Sequence, residues 1–194
     1  WGEKIDRGDT HVKLVRNIGV DRVIDLIRPG IGKERQLDVV SPVLSLFAFA
    51  ELVRELDELP RCRLVLPSVD SELGILGSAA DRADRNRLQS RWLARRLILW
   101  LREKTEVSRT PGSVPTGAFV LRDATAHPLQ ALLGALSFST EGLGLTPGNP
   151  MNLIQASETP EEAALLGQWY DSHWSELEAD AASKSALINI LQEL

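Results

Sequence analysis

Residues 36–67 read QLDVVSPVLSLFAFAELVRELDELPRCRLVLP. Gln36 to Ser41 is short, rich in β-branched residues and mostly apolar, the pattern of a strand buried on both faces. Pro42 then opens a helix expected to run through Leu59. Arg61 to Pro67 repeats the strand pattern, so two parallel strands joined by a right-handed crossover are the economical solution. The expected fold class is therefore α/β, a mixed, largely parallel sheet flanked by helices.

Upstream, the apolar stripe Val12, Val15, Val20, Val23, Ile24 and Ile27 predicts a helix from about His11 to Ile27, stopped by Pro29 and Gly30. Downstream, Val69 to Ala80 reads as a Gly/Ser-rich loop and Asp81 to Lys104 as the longest helical pattern in the chain. Strands are expected at Thr105–Arg109, Gly117–Arg122, Ala131–Phe138 and Met151–Gln155, with turn chemistry at 123–128 and 142–150. Thr159 and Pro160 supply an N-cap and first helical residue for a helix to about His173, and Ala181 to Leu194 is helical again.

At 194 residues, 43% hydrophobic and 25% charged, the chain suits one folded domain with its own core and excludes disorder and a two-lobed enzyme. Cys62 stands alone, which removes any intrachain disulfide or cysteine-based zinc cluster. The strongest apolar stretch, Val39 to Leu52, is interrupted by Ser41, Pro42, Ser45 and Glu51 and falls short of the roughly 20 residues of a membrane span, so no membrane contact is expected. The opening WGEKIDRGDT lacks the basic-then-apolar order of a signal peptide. These features give the expectation of a cytoplasmic domain cut from something longer.

Net charge is −5 but divided. Arg82, Arg85, Arg87, Arg91, Arg95, Arg96, Arg102 and Lys104 crowd one segment, opposed there only by Asp84 and Glu103. From Glu158 onward eight carboxylates face a single cation, Lys184. At about 100° per residue Arg87, Arg91, Arg95 and Arg102 fall within roughly an 80° arc, while Leu93, Leu97 and Trp100 point elsewhere. Such a stripe can track phosphates by counterion release, or fork onto carboxylates of a partner or of the chain's own C-terminal helices.

The order of elements, with a hydrophobic strand ending in Asp, a turn, a second strand, a Gly-rich loop and an acidic Trp-bearing helix, resembles the phospholipase D-like superfamily. The likeness is to the nuclease-type domains of bacterial restriction and phage-defence helicases, over about residues 10–178. That family carries His-x-Lys-x4-Asp, then roughly Gly-Ser-x-Asn-Phe-Thr. A nucleophilic imidazole attacks phosphorus while a lysine two residues on, on the same strand face, holds the phosphate oxygens, and two copies of the motif complete one site. Here Thr116 stands where the family has His and Ala118 where it has Lys; Asp123 keeps the Asp. The second motif falls on Gly134–Thr140, with Phe138 and the hydroxyls of Ser137 and Ser139 but without the Asn.

The resemblance thus implies a catalytically degenerate accessory domain, residues 1–178, with 179–194 a helix leading to a following domain. Its implied partners are DNA, a second copy, or a helicase domain or other defence-system subunit, with no cofactor. Two alternatives stay open: an active phosphodiesterase or nuclease using Thr116, Ser137 or His127 as nucleophile, and a plain protein–protein interaction domain.

Bland readings cover the remaining signals. His11-Val12-Lys13 has Ile18 rather than Asp five residues on and is expected to be an exposed helix start; His173 is expected to be a surface or packing residue. The loop Gly142–Asn149 lacks the spacing of a nucleotide cradle. Asp38, Asp70 and Glu72 without a histidine read as loop-end carboxylates, so no metal is expected. Tyr170 and Trp174, one helical turn apart, read as core packing.

Overall fold

The computed structural model describes residues 13–67, 87–177 and 181–194. Its elements are β1 (Lys13–Val15), α1 (Val23–Ile27), a 3-10 turn (Arg28–Gly30), β2 (Arg35–Val40), α2 (Leu46–Glu58), β3 (Arg61–Pro67), α3 (Arg87–Lys104), β4 (Thr105–Thr110), β5 (Gly117–Asp123), β6 (Pro128–Gly134), β7 (Ile154–Ala156), α4 (Pro160–Leu177) and α5 (Ala181–Gln192). The strands form one mixed sheet in the order β1-β7-β6-β5-β2-β3-β4, flanked by helices. The sheet is mixed as expected but not largely parallel: parallel pairing is confined to β2, β3 and β4, and the other four described pairs are antiparallel.

The β2–α2–β3 unit forms as its apolar runs dictate, with Leu37 beside Cys62 and Val39 beside Leu64. The helix starts later than Pro42 suggests, because Ser45 is the residue whose hydroxyl caps the Phe47 and Ala48 amides. Ser41 instead holds a turn, donating to the Val43 carbonyl and accepting from the Phe138 amide.

Alternation along the strands divides the core. Leu37, Val39, Leu64, Leu66, Phe119 and Leu121 face α1, α2, α3 and α5 in the main cluster. Val40, Val65, Ala118 and Val120 face α4 on the other side. α5 contributes Leu187, Ile188 and Leu191 to the main cluster.

Four further expectations are corrected. The stretch expected as a helix from His11 contains β1, an edge strand paired with β7, and helix appears only at Val23–Ile27; Val20, taken for a stripe residue, is 97% exposed. The strand expected at Ala131–Phe138 is Pro128–Gly134, because Gly134 turns the chain with φ 137° and the Leu136 and Phe138 side chains enter the core from a loop. The last strand is Ile154–Ala156, and α4 runs on to Leu177 rather than ending near His173. The loop expected at 69–80 and the helix start expected at 81–86 lie outside the described residues.

A candidate binding cleft and an arginine face

Val40 and Val65 lie side by side near the carboxyl ends of β2 and β3, facing α4. The β4–β5 connection, with Val114 and Thr116, forms one wall above them, and Leu166, Trp169, His173 and Glu176 of α4 form the other. The cleft between has a volume of about 650 Å³.

A cluster of four charged residues seats α4 on the sheet beside this cleft. Asp38, 1% exposed, accepts from Arg63 at 2.7 and 2.6 Å and from Arg122 at 2.5 Å. Asp171 of α4 accepts from the same two arginines at 2.8 and 3.1 Å. The remaining Arg122 donors reach the carbonyls of Ala126 and Gly167. Arg63 also lies over the rings of Tyr170 and Trp174, at 4.8 and 5.4 Å, and the Tyr170 hydroxyl donates to the Arg63 carbonyl. Burial alone would lower the Arg63 guanidinium's pKa, yet its bonds to Asp38 and Asp171 outweigh that and raise it. Two positive and two negative charges thus cancel locally, which makes their burial tolerable.

Gly167 is required where α4 meets β6, because a Cβ there would stand 2.4 Å from the Pro128 ring. The N-terminus of α4 is fixed by Thr159, whose hydroxyl accepts from the Glu162 amide at 3.2 Å.

The residues singled out from sequence divide between the two ends of the sheet. Thr116 is exposed and lines the cleft, and Ala118 lies below it, fully buried with Val40, Val65 and Tyr170. Asp123 ends β5 at the opposite edge, about 20 Å away for a strand of that length. There it accepts from the Thr125 hydroxyl and from the Thr125 and His127 amides, bonds that hold its pKa down, the Thr125 hydroxyl first among them. His127 belongs to this turn, away from Thr116.

Ser137 and Ser139 lie at the cleft's end of the sheet, bonded to each other at 2.8 Å, but do not line the cleft. The Ser139 hydroxyl accepts from the Gly142 amide and so shapes a turn. Asp38 is held by guanidinium groups rather than open to a metal, while Asp70 and Glu72 lie outside the described residues. Tyr170 and Trp174 do pack together, stacked at 5.9 Å. His173, expected to be a surface or packing residue, is exposed, lies beside the Trp169 ring and lines the cleft. The signal available for it was the spacing Leu166, Trp169, His173, Leu177, one stripe of a helix.

Arg91, Arg95 and Arg102 are exposed and line a second groove, between α3 and α5. Ile98, Leu99 and Leu191 supply apolar surface there, and Glu193 is its one carboxylate among the described residues. Arg91 donates to the Leu194 carbonyl at 3.3 Å. Among the described residues none of the three forms an ion pair, whereas Arg96, around the helix, pairs with Asp57. The Arg87 side chain lies outside the described residues. No described helix is long and apolar enough to cross a membrane.

No family model matches the chain, and no curated protein matches it. Among solved structures it is similar to TrmBL2, an archaeal chromatin protein with a novel mode of DNA binding, at 10% identity and TM-score 0.45 over 92% of this chain and 57% of that one. It is also similar to polyphosphate kinase from Porphyromonas gingivalis, at 11% identity and TM-score 0.49 over 88% of this chain and 26% of the kinase. The chain spans little more than half of the first and about a quarter of the second.

Proposed function

We propose that the chain is a catalytically degenerate phospholipase D-like accessory domain of a bacterial DNA-processing protein, of the helicase type found in restriction or phage defence, and that it grips DNA through Arg91, Arg95 and Arg102. The observation that carries the DNA contact is the exposed row of guanidinium groups on α3 without a carboxylate partner among the described residues. Pairing with the chain's own acidic helices would have used these groups internally; α4 lends its Asp171 to Arg63 and Arg122 instead.

The degenerate reading rests on Thr116 and Ala118. A hydroxyl at the cleft and a buried methyl group below it offer neither an imidazole to attack phosphorus nor an ammonium to hold the transferring group. In this reading residues 1–178 form most of the domain, and 179–194, expected as a linking helix, pack Leu187, Ile188 and Leu191 into its main core.

The test is the affinity for duplex DNA measured against salt, for the wild type and for Arg91→Ala, Arg95→Ala and Arg102→Ala. Each lost phosphate contact lowers the slope of log affinity against log salt by about 0.9. A slope unchanged in all three variants, or no DNA binding at low salt, removes the arginine face as a nucleic-acid surface.

A further inference from the structure

The cleft between α4 and the carboxyl ends of β2 and β3 has a composition that selects a ligand. Its floor and walls are apolar, supplied by Val40, Val65, Val114, Leu133, Leu166 and the Tyr170 ring. Its volume of about 650 Å³ lies within the range of small-molecule sites, about 300–1,000 Å³. The crevice outside the carboxyl ends of parallel strands is also where α/β sheets receive their ligands.

The polar groups at the rim are unequal. Glu176 is exposed and provides a carboxylate, and neither lysine nor arginine lines the cleft among the described residues. The ring Nδ1 of His173 lies 2.8 Å from the Trp169 carbonyl, which can only accept, so this nitrogen carries a proton and Nε2 is the atom that can serve as acceptor. Trp169 stands beside His173 with ring centres 4.9 Å apart, adding the negative face of an indole. Thr110 and Thr116 contribute hydroxyls that can donate or accept.

A phosphate or carboxylate entering here would meet Glu176 and no cation among the described residues. A wholly apolar molecule would leave these acceptors unused. A ligand with an apolar body and a positively charged nitrogen satisfies both parts of the site.

The geometry points to a small-molecule site for an apolar amine, an aromatic or branched aliphatic body seated on Val40 and Val65 with its ammonium held at the rim by Glu176 and His173. This site lies on a different face from the arginine groove and does not depend on DNA binding.

The experiment is calorimetric titration of the full chain with 2-(2-naphthyl)ethylamine and with the anion of matching shape, 2-naphthylacetate. Saturable binding of the amine is expected, with the anion at least about tenfold weaker. Glu176→Gln weakens the amine by about three- to fivefold, the size of an exposed ion pair, and leaves the anion no weaker. Thr116→Trp, a substitution at an exposed lining position that fills the mouth, abolishes binding of the amine. The thermal transitions of both variants are measured alongside to show that they fold. Absence of saturable amine binding, equal or tighter binding of the anion, or amine affinity unchanged in both folded variants overturns the assignment.

Discussion

Asp38 and Arg122, 84 residues apart in sequence, meet at 2.5 Å between the sheet and α4, with 1% and 3% of their surfaces exposed. The contact ties a central strand to its antiparallel neighbour and, through Asp171, to the helix that walls the cleft. Removing the carboxylate would leave Arg122 and Arg63 without their buried counter-charge. Asp38→Ala is therefore expected to cost about 3–5 kcal/mol in urea unfolding, whereas combining it with Arg63→Met and Arg122→Met should restore much of the loss. A cost below about 1 kcal/mol for Asp38→Ala would show that the cluster is solvated and does not hold α4 in place.

Two buried acids set the alkaline limit of stability. Burial is the first cause raising both the Cys62 thiol and the Tyr170 phenol well above their ordinary values, and the Asp38 charge adds to it. Unfolded, these groups lose their protons near about pH 8.5 and about pH 10, while in the folded chain they stay neutral. The stability they contribute is fully present below the unfolded values and is lost as pH rises towards the folded ones. The urea midpoint is expected to fall between pH 8 and pH 10.5, with the earlier part of that fall removed by Cys62→Ala. A midpoint that rises over this interval would contradict the burial of both groups.

The legible parts of the chain were those whose signal is local. Gln36–Ser41 and Arg61–Pro67 announce themselves as buried strands by short, mostly apolar, β-branched runs, and Thr159-Pro160 marks the start of α4 by its capping chemistry. The arginine stripe followed from helical geometry alone. β1 was hidden because Leu14 and Val15, at a sheet edge, share their stretch with valines that fit a helical period by accident. The charged cluster could not be read at all, since its members come from β2, β3, β5 and α4 and only the topology brings them together. His173 is a surface residue as expected, and what its own helix does not encode is the loop placed opposite it, which makes it part of the cleft wall.

Gly117 is demanded by the sheet's end. A Cβ on it would stand 2.0 Å from the Leu136 carbonyl oxygen, a backbone atom fixed by the adjoining turn. Gly117→Ala is expected to destabilise the protein by about 1–3 kcal/mol or more, because β5 or the 134–138 loop must move to admit the methyl group. At Gly32 a Cβ would meet nothing, so Gly32→Ala serves as the control and should be neutral or stabilising by up to about 1 kcal/mol through the unfolded chain. Comparable losses in the two variants would show that the close approach at Gly117 is not rigid.

On the proposed phospholipase D-like reading, Ala118 decides whether two substitutions could give the cleft a phosphoryl-transfer pair. On that reading a lysine would sit here, yet Ala118 is fully buried in the layer formed by Val40, Val65 and Tyr170. A lysine at this point must displace packed side chains and bury part of an ammonium-bearing chain, which together should cost about 3 kcal/mol or more. Ala118→Lys is expected to lower the urea midpoint sharply, and the double variant Thr116→His, Ala118→Lys to cleave no plasmid DNA in the absence of metal. A double variant that kept wild-type stability and nicked plasmid would mean that β5 still presents a phosphoryl-transfer site. The replacements at 116 and 118 would then be all that silences it, and the surrounding packing would not have closed over the lysine's place.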